Sequence, residues 1–383
     1  MGVHAQLSPS SADRWMSCPG SVALCENIPD TSSAAADEGT MLHDMAADCL
    51  IYDVDPTTPS DEHTPLYNLN DEQASAIQTY INIVRDIKDT IKGELYVEQR
   101  LPISWLTNEP DAYGTADAVI CSEDELVIVD AKFGRGVVVE AERNKQLMIY
   151  AIAANDNYKV AYDFKRIRLV ISQPRLGACL EWTLLPGELE IFAGEVMLAA
   201  SHTNAINAPL VPSPKACQWC RAKANCPAIK EIIMSDFDTI KPESAADEDL
   251  SRIMGNAGMI ESWVKAIRAE VERRLLSGEP VKGYKLVKGK RGNRQWANDA
   301  EAESTLKAMR IKHEVMYSYS LVTPTTIEKL AKAEEIGPRQ WSKIQQLITQ
   351  SEGRPSVAPE SDKRPELALS ADVSDFDDIS TGE

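Results

Sequence analysis

Two short apolar runs, Ala116-Asp117-Ala118-Val119-Ile120 and Leu126-Val127-Ile128-Val129-Asp130, each carry one carboxylate among residues that otherwise suit only a core. An ionised carboxylate is costly in an apolar interior unless a positive charge meets it. The turn-like Ser122-Glu123-Asp124-Glu125 joins the runs, so a hairpin is predicted that sets Asp117 and Asp130 side by side. Two adjacent acids repel one another and favour a bound cation, and a hard oxygen site of this kind suits Mg²⁺ or Mn²⁺. Strand alternation then places Lys132 on the face of Asp130, while Ala131 turns the other way and is free to lend its backbone carbonyl to the metal. Taken alone, Asp-x-Lys is equally the pattern of a surface ion pair.

The neighbouring sequence predicts the layers around this hairpin. Residues 34 to 50 and Asp71 to Lys92 have helical spacing, the second with Ile77, Ile81, Val84, Ile87 and Ile91 in one stripe. Glu94 to Leu101 reads as a strand, Val137 to Val139 as a further short one, Glu140 to Ala154 as a helix, and Arg166 to Gln173 with Cys179 to Leu185 as a strand pair. Helix, meander, helix and strand pair in that order predict an α/β fold with one mixed central sheet. After Cys226, apolar residues from Leu250 to Leu275 recur in steps of three and four, predicting a long amphipathic helix. The expected organisation is a first domain over 1–235, a helical and hairpin-bearing α+β extension over 236–350, and a disordered acidic tail over 351–383, where Pro, Ser and Asp dominate. No apolar run approaches the roughly 20 residues that cross a bilayer. The N-terminus lacks the basic and apolar regions of a signal peptide, so a soluble cytoplasmic protein without membrane contact is expected.

The formal charge of −19 argues against phosphate binding until its distribution is considered. Residues 1–80 hold thirteen acids and the single base Arg14, and residues 352–383 hold nine acids against three bases. The middle of the chain is therefore close to neutral. It contains Lys282, Lys285, Lys288, Lys290, Arg291 and Arg294 with no acid between them, interleaved with Tyr284 and flanked by Trp296. A hairpin of this composition suits a single-stranded nucleic acid, through backbone charge and base stacking. Lysines guarding a solvated edge strand have the same appearance.

Upstream, His43 lies in Glu38-Gly39-Thr40-Met41-Leu42-His43, where its imidazole is a candidate metal ligand and Glu38 points elsewhere on the helix. Gln146 and Tyr150, four apart, share a helix face that can meet the lysine or a phosphate. Gly39-Thr40-x-x-His43, Gly114-Thr115-Ala116-Asp117, Asp130-Ala131-Lys132 and Gln146-x-x-x-Tyr150, in that order, resemble the PD-(D/E)XK nuclease superfamily, and specifically its RecB-like exonuclease branch. The resemblance spans about residues 8 to 230. The whole chain also resembles a group of phage and prophage proteins.

The resemblance implies a restriction-endonuclease-like sheet and a metal-dependent DNA exonuclease or end-processing nuclease, acting in phage replication, recombination or repair inside a bacterial host. Its implied site is Asp117, Asp130, His43 and the Ala131 carbonyl on the metal, Lys132 activating water, and Gln146 with Tyr150 shaping the pocket. DNA with a free end or single-stranded region is the implied partner, with replication or recombination proteins and a homo-oligomer as further expectations. The alternative is a silent DNA-binding or assembly subunit that keeps the fold as a scaffold. Retention of both acids and the lysine weighs against it.

Cysteines supply the last signal. Cys217-x-x-Cys220-x₅-Cys226-Pro227 can hold three corners of a metal centre, and a fourth soft ligand is needed. Cys18 is the first choice and Cys25 the alternative. The resemblance implies a [4Fe-4S] cluster held by Cys18, Cys217, Cys220 and Cys226, whereas four thiolates by themselves also suit Zn²⁺. Cys49, Cys121 and Cys179 read as ordinary buried thiols.

Overall fold

The computed structural model describes residues 5–29, 34–56, 69–239, 247–285 and 287, and in the C-terminal part residues 304, 307–309, 324–333, 335–345 and 348. Two compact units result, Met1–Lys288 and Gly289–Glu383. The second contains two short helices among its described residues, Pro324–Lys332 and Pro338–Gln345. The acidic tail expected over 351–383 lies outside the described residues, as do Lys288, Lys290, Arg291, Arg294 and Trp296 of the basic hairpin. Lys282 and Lys285 are described and exposed.

In the first unit the order is α1 (Ala12–Ser17), α2 (Ser21–Cys25), α3 (Ala34–Ile51), α4 (Asp71–Ile91), β1 (Glu94–Pro102), α5 (Ser104–Thr107), β2 (Tyr113–Cys121), β3 (Glu125–Ala131), α6 (Lys145–Tyr158), β4 (Arg166–Gln173), β5 (Ala178–Leu184), α7 (Pro186–Thr203), α8 (Pro214–Gln218), α9 (Pro227–Thr239) and α10 (Asp247–Leu276). The five strands form one mixed sheet in the order β1-β2-β3-β4-β5. Neighbours are antiparallel except β3 and β4, which run parallel. A parallel pair needs a crossover, and α6 supplies it. The α/β fold with a mixed sheet flanked by helices is therefore as expected.

Every residue of β3 is buried, which its unbroken apolar run requires. Leu126 and Ile128 join the layer formed by α6 and α7, while Val127 and Val129 join the layer of α3 and α4. Glu125, buried at the start of β3, is held by Arg166 at 3.0 Å and Arg168 at 3.1 Å. Helix α4 starts with a reciprocal cap, Gln73 N donating to Asn70 Oδ1 at 2.9 Å and Asn70 N to Gln73 Oε1 at 3.0 Å. It ends at Lys92, whose left-handed φ of 52° turns the chain through Gly93 into β1.

Three local expectations are corrected. Val137 to Val139 forms no strand: Val139 N donates to Gln173 Oε1 at 2.7 Å and Gln173 Nε2 donates to the Val137 carbonyl at 3.2 Å, so a side-chain amide stands where a strand partner would. The helix expected from Glu140 begins at Lys145, because the Asn144 side chain caps it by accepting from Leu147 N. Cys179 is exposed, since β5 is an edge strand whose alternation turns it outward.

Candidate metal and phosphodiester site

The β2–β3 hairpin pairs Ala118 with Val129, so the next position on each strand brings Asp117 opposite Asp130. Asp117 Oδ2 accepts the Ala131 backbone N–H at 2.7 Å and lies 3.4 Å from His43 Nδ1, contributed by α3. Asp130, only 2% exposed, places Oδ2 2.7 Å from Lys132 Nζ and accepts from Gln146 Nε2 through Oδ1 at 3.2 Å. At 2.7 Å from the ammonium, this Oδ2 is an ion-paired oxygen rather than an orphan. Gln146 also accepts from Lys132 Nζ at 3.2 Å and contacts the Tyr150 hydroxyl at 3.2 Å. The structure thus brings His43, Asp117, Asp130, Lys132, Gln146 and Tyr150 into one connected set.

Burial works against charge on both members of the Asp130–Lys132 pair. It raises the Asp130 pKa, while on Lys132 the neighbouring carboxylate outweighs it and raises the ammonium's pKa too. The result is a lysine that stays cationic beside a carboxyl readier than usual to take a proton. On His43 burial opposes the cation, but the Asp117 hydrogen bond and charge, with that of Asp130, raise its pKa overall.

Gly114 shows why the motif before Asp117 needs a glycine. A Cβ there would lie 2.7 Å from Pro9 Cγ and 2.8 Å from Tyr150 Cε1. Gly114→Ala is expected to cost about 1–3 kcal/mol by overpacking, read by urea unfolding, and to push the Tyr150 ring away from Gln146.

Two site residues escaped the sequence reading. Glu98, on β1, stands opposite Asp117 between the pairs Val97–Ala118 and Gln99–Ala116. Its φ is 47°, and among the described non-glycine residues with positive φ it alone lies within a strand; Asp53, Lys92, Asn108, Asp111 and Arg143 lie in turns, loops or at helix ends. The sheet's alternation slips there: Leu95 and Val97 pack on the α3/α4 layer whereas Leu101 belongs to the α6/α7 layer. Glu98 remains exposed by surface area, yet loss of solvent around its carboxyl, followed by the charge of Asp117, pushes its pKa up to about 7. His43, Glu98 and Asp117 each present a ligand atom within 4.8 Å of the others, and this is the one such group of three among the described residues.

Tyr80, on α4, is the second. It is 1% exposed, its hydroxyl has no hydrogen-bond partner, and it lines a small hollow with His43, Glu98 and Asp117. Burial, then the charges of Asp117, Asp130 and Glu98, drive its pKa well upward. An unpaired buried hydroxyl costs about 1–3 kcal/mol. In chelator-treated protein Tyr80→Phe is therefore expected to unfold at higher denaturant concentration, by about 1 kcal/mol.

Around the rim, Arg175, carried on the turn after β4, donates to Glu38 at 2.7 Å and 3.2 Å and to the Phe133 carbonyl at 3.1 Å, and lies 3.4 Å from Glu72. Glu38 thus anchors α3 beside the β3 end rather than facing the acids, and Arg175 with Gln73 holds its pKa down to about 2.

The thiols gather elsewhere in the unit. Cys18, Cys25, Cys217, Cys220 and Cys226 are all buried. Cys18 Sγ accepts from Val211 N at 3.2 Å, and Cys25 and Cys220 place their sulfurs 3.7 Å apart. Burial raises the Cys217 pKa, and the nearby thiols of Cys18 and Cys226 add to it. The Cys220 hydrogen bond lowers Cys25 to about 6, helped by Arg14 and Arg221, while the same bond and burial raise Cys220. Five thiols, not four, are therefore buried here, with Cys217 and Cys226 in one apolar cluster, Cys25 and Cys220 in another, and Leu24 packed against both. No three of their sulfurs lie within 4.8 Å of one another. A tetrahedral zinc with bonds of about 2.3 Å draws its sulfurs to about 3.8 Å, a spacing that only Cys25 and Cys220 are shown to approach; a four-iron cube spreads its thiolates wider.

Fold and site together define a mixed α/β protein with a carboxylate–lysine cluster at the end of its central strands. The chain belongs to the family described as "Protein of unknown function (DUF2800)", whose model matches residues 4–365. Among solved structures, one titled "Crystal structure of SSO0001" is similar at 14% identity over 59% of this chain and 89% of that one, with a TM-score of 0.31. A likeness of that size carries no argument. No described helix is long and apolar enough to cross a membrane.

Proposed function

We propose that this chain is a metal-dependent DNA nuclease of the PD-(D/E)XK type, with RecB-like exonuclease or end-processing action. The observation that carries the reading is the single network of Asp117, Asp130, Lys132 and Gln146, closed by the 2.7 Å contacts of Asp117 with Ala131 N and of Asp130 with Lys132. The donor set fits Mg²⁺ or Mn²⁺: carboxylate oxygens from Asp117 and Asp130, with the Ala131 carbonyl and the His43 imidazole beside them. Such an ion lowers the pKa of a bound water and offsets charge on the scissile phosphate. Lys132, kept cationic by Asp130 and steered by Gln146, is placed to orient a water and to stabilise charge that develops on phosphate oxygens. Tyr150 fixes Gln146 from behind. DNA is the proposed substrate, in phage or prophage replication, recombination or repair.

For these buried thiols the reading is a [4Fe-4S] cluster on Cys18, Cys217, Cys220 and Cys226, supported by their burial and by Cys18 and Cys226 lying near Cys217, with Cys25 as a fifth thiol in contact with Cys220. The main test is incubation of the purified chain with end-labelled single- and double-stranded DNA and Mn²⁺, beside Asp130→Ala and Lys132→Ala. Cleavage that falls by about 10²-fold or more in both variants is expected. Equal cleavage in all three, or none with any divalent metal, sinks the assignment.

A further inference from the structure

We propose that helix α10 pairs with α10 of a second copy of this chain, as an antiparallel two-stranded coiled coil with Ile260, Val264, Ile267 and Val271 at its core. The inference stands apart from the nuclease reading.

Its basis is the period of the helix. Ile253, Ala257, Ile260, Val264, Ile267 and Val271 recur within α10 in strictly alternating steps of four and three. That is a repeat of 3.5 residues, the a and d positions of a heptad seam, whereas a helix lying on a globular core keeps a broader stripe. The side of α10 that faces the rest of the unit is a different one. Met259 is buried with Cys217, Cys226 and Ile229, Trp263 packs on them, Asn256 donates to Asp236 at 3.1 Å, and Lys223 Nζ donates to Ser262 at 2.8 Å. At 3.6 residues per turn, Met259 and Trp263 lie roughly a quarter turn from the heptad stripe. The stripe itself is half-buried, and none of its six residues belongs to a hydrophobic cluster among the described residues.

Charge selects the occupant. Glu261 and Arg268 stand at e positions beside the seam, both exposed and neither ion-paired among the described residues, while Glu270 is already held by Arg273 at 2.8 Å and Arg274 at 2.7 Å. Seven residues apart, Glu261 and Arg268 are separated by about 10 Å along one helix and cannot meet each other. Two copies of α10 can run antiparallel with Val264 of each opposite Ile267 of the other. Ile260 then falls opposite Val271, and Glu261 opposite Arg268, twice over by two-fold symmetry. A parallel pair sets Asn256 against Glu261 and Trp263 against Arg268, and forms no ion pair at these positions.

The test is sedimentation equilibrium of the full chain over a range of concentrations, at low salt and with reductant present, each variant's folding being checked by circular dichroism. Wild type is expected to be a dimer. Val264→Glu combined with Ile267→Glu, which keeps good helix formers but charges the two central layers, is expected to be a monomer. Glu261→Arg and Arg268→Glu should each weaken the dimer about tenfold, by setting like charges opposite one another at both ends of the seam. An equimolar mixture of these two variants should recover the wild-type affinity, because the mixed pair brings opposite charges back together. A monomeric wild type, or a dimer that the central double variant leaves intact, overturns the proposal. A mixture that stays as weak as its components overturns the antiparallel register.

Discussion

Lys132→Met is expected to lower stability by about 3–5 kcal/mol at neutral pH, besides removing the cleavage proposed above. The substitution keeps most of the side-chain volume but leaves Asp130, 2% exposed, with Gln146 as its remaining polar contact. Asp130 already has a pKa raised by burial, and loss of the lysine raises it further. A carboxyl with a raised folded pKa contributes stability that is present below its unfolded value of about 3.9 and is lost as pH rises. The deficit of the variant against wild type should therefore be small near pH 4 and grow toward neutrality. Urea unfolding at several pH values reads this directly; a deficit independent of pH would mean that packing, not the uncompensated carboxylate, sets the cost.

Removing the proposed thiol ligands is expected to have a comparable effect by a different route. A metal group joining Cys18 to Cys217, Cys220 and Cys226 closes a loop of roughly 200 residues, worth on the order of 5 kcal/mol by chain entropy. Cys18→Ser and Cys226→Ser should each lose the group and unfold at clearly lower temperature. Anaerobically purified wild type should be brown and contain iron and sulfide. A colourless protein containing zinc would defeat the iron–sulfur assignment while leaving the stapling effect in place. Cys25→Ser separates the fifth thiol from the other four: colour and iron content retained would identify Cys18 as the ligand, and their loss would point to Cys25.

The hairpin acids and Lys132 were legible because strand period and turn chemistry act locally, and a carboxylate in an apolar run is conspicuous. Their connection to Gln146 was legible through helical spacing. Glu98 was not, because the alternation of Leu95, Val97 and Leu101 assigns it to a solvated face, and nothing local announces the left-handed residue that breaks that alternation. Tyr80 was hidden for another reason: it lies beside Ile77 and Ile81 on the apolar side of α4, where a ring is expected and a hydroxyl goes unnoticed. Val137 to Val139 misled because β-branched residues were read as a strand, whereas Gln173, distant in sequence, supplies their hydrogen bonds. The thiols were legible in type and spacing, but Cys25 and Cys220 in contact is a fact of tertiary packing.

The backbone at Glu98 sets stability and function in opposition at one position. A left-handed conformation costs a side-chain-bearing residue about 1–2 kcal/mol, and glycine adopts it without that strain. At Glu98 the strand therefore carries backbone strain together with a ligand atom beside His43 and Asp117, and a glycine there would relieve the one and forfeit the other.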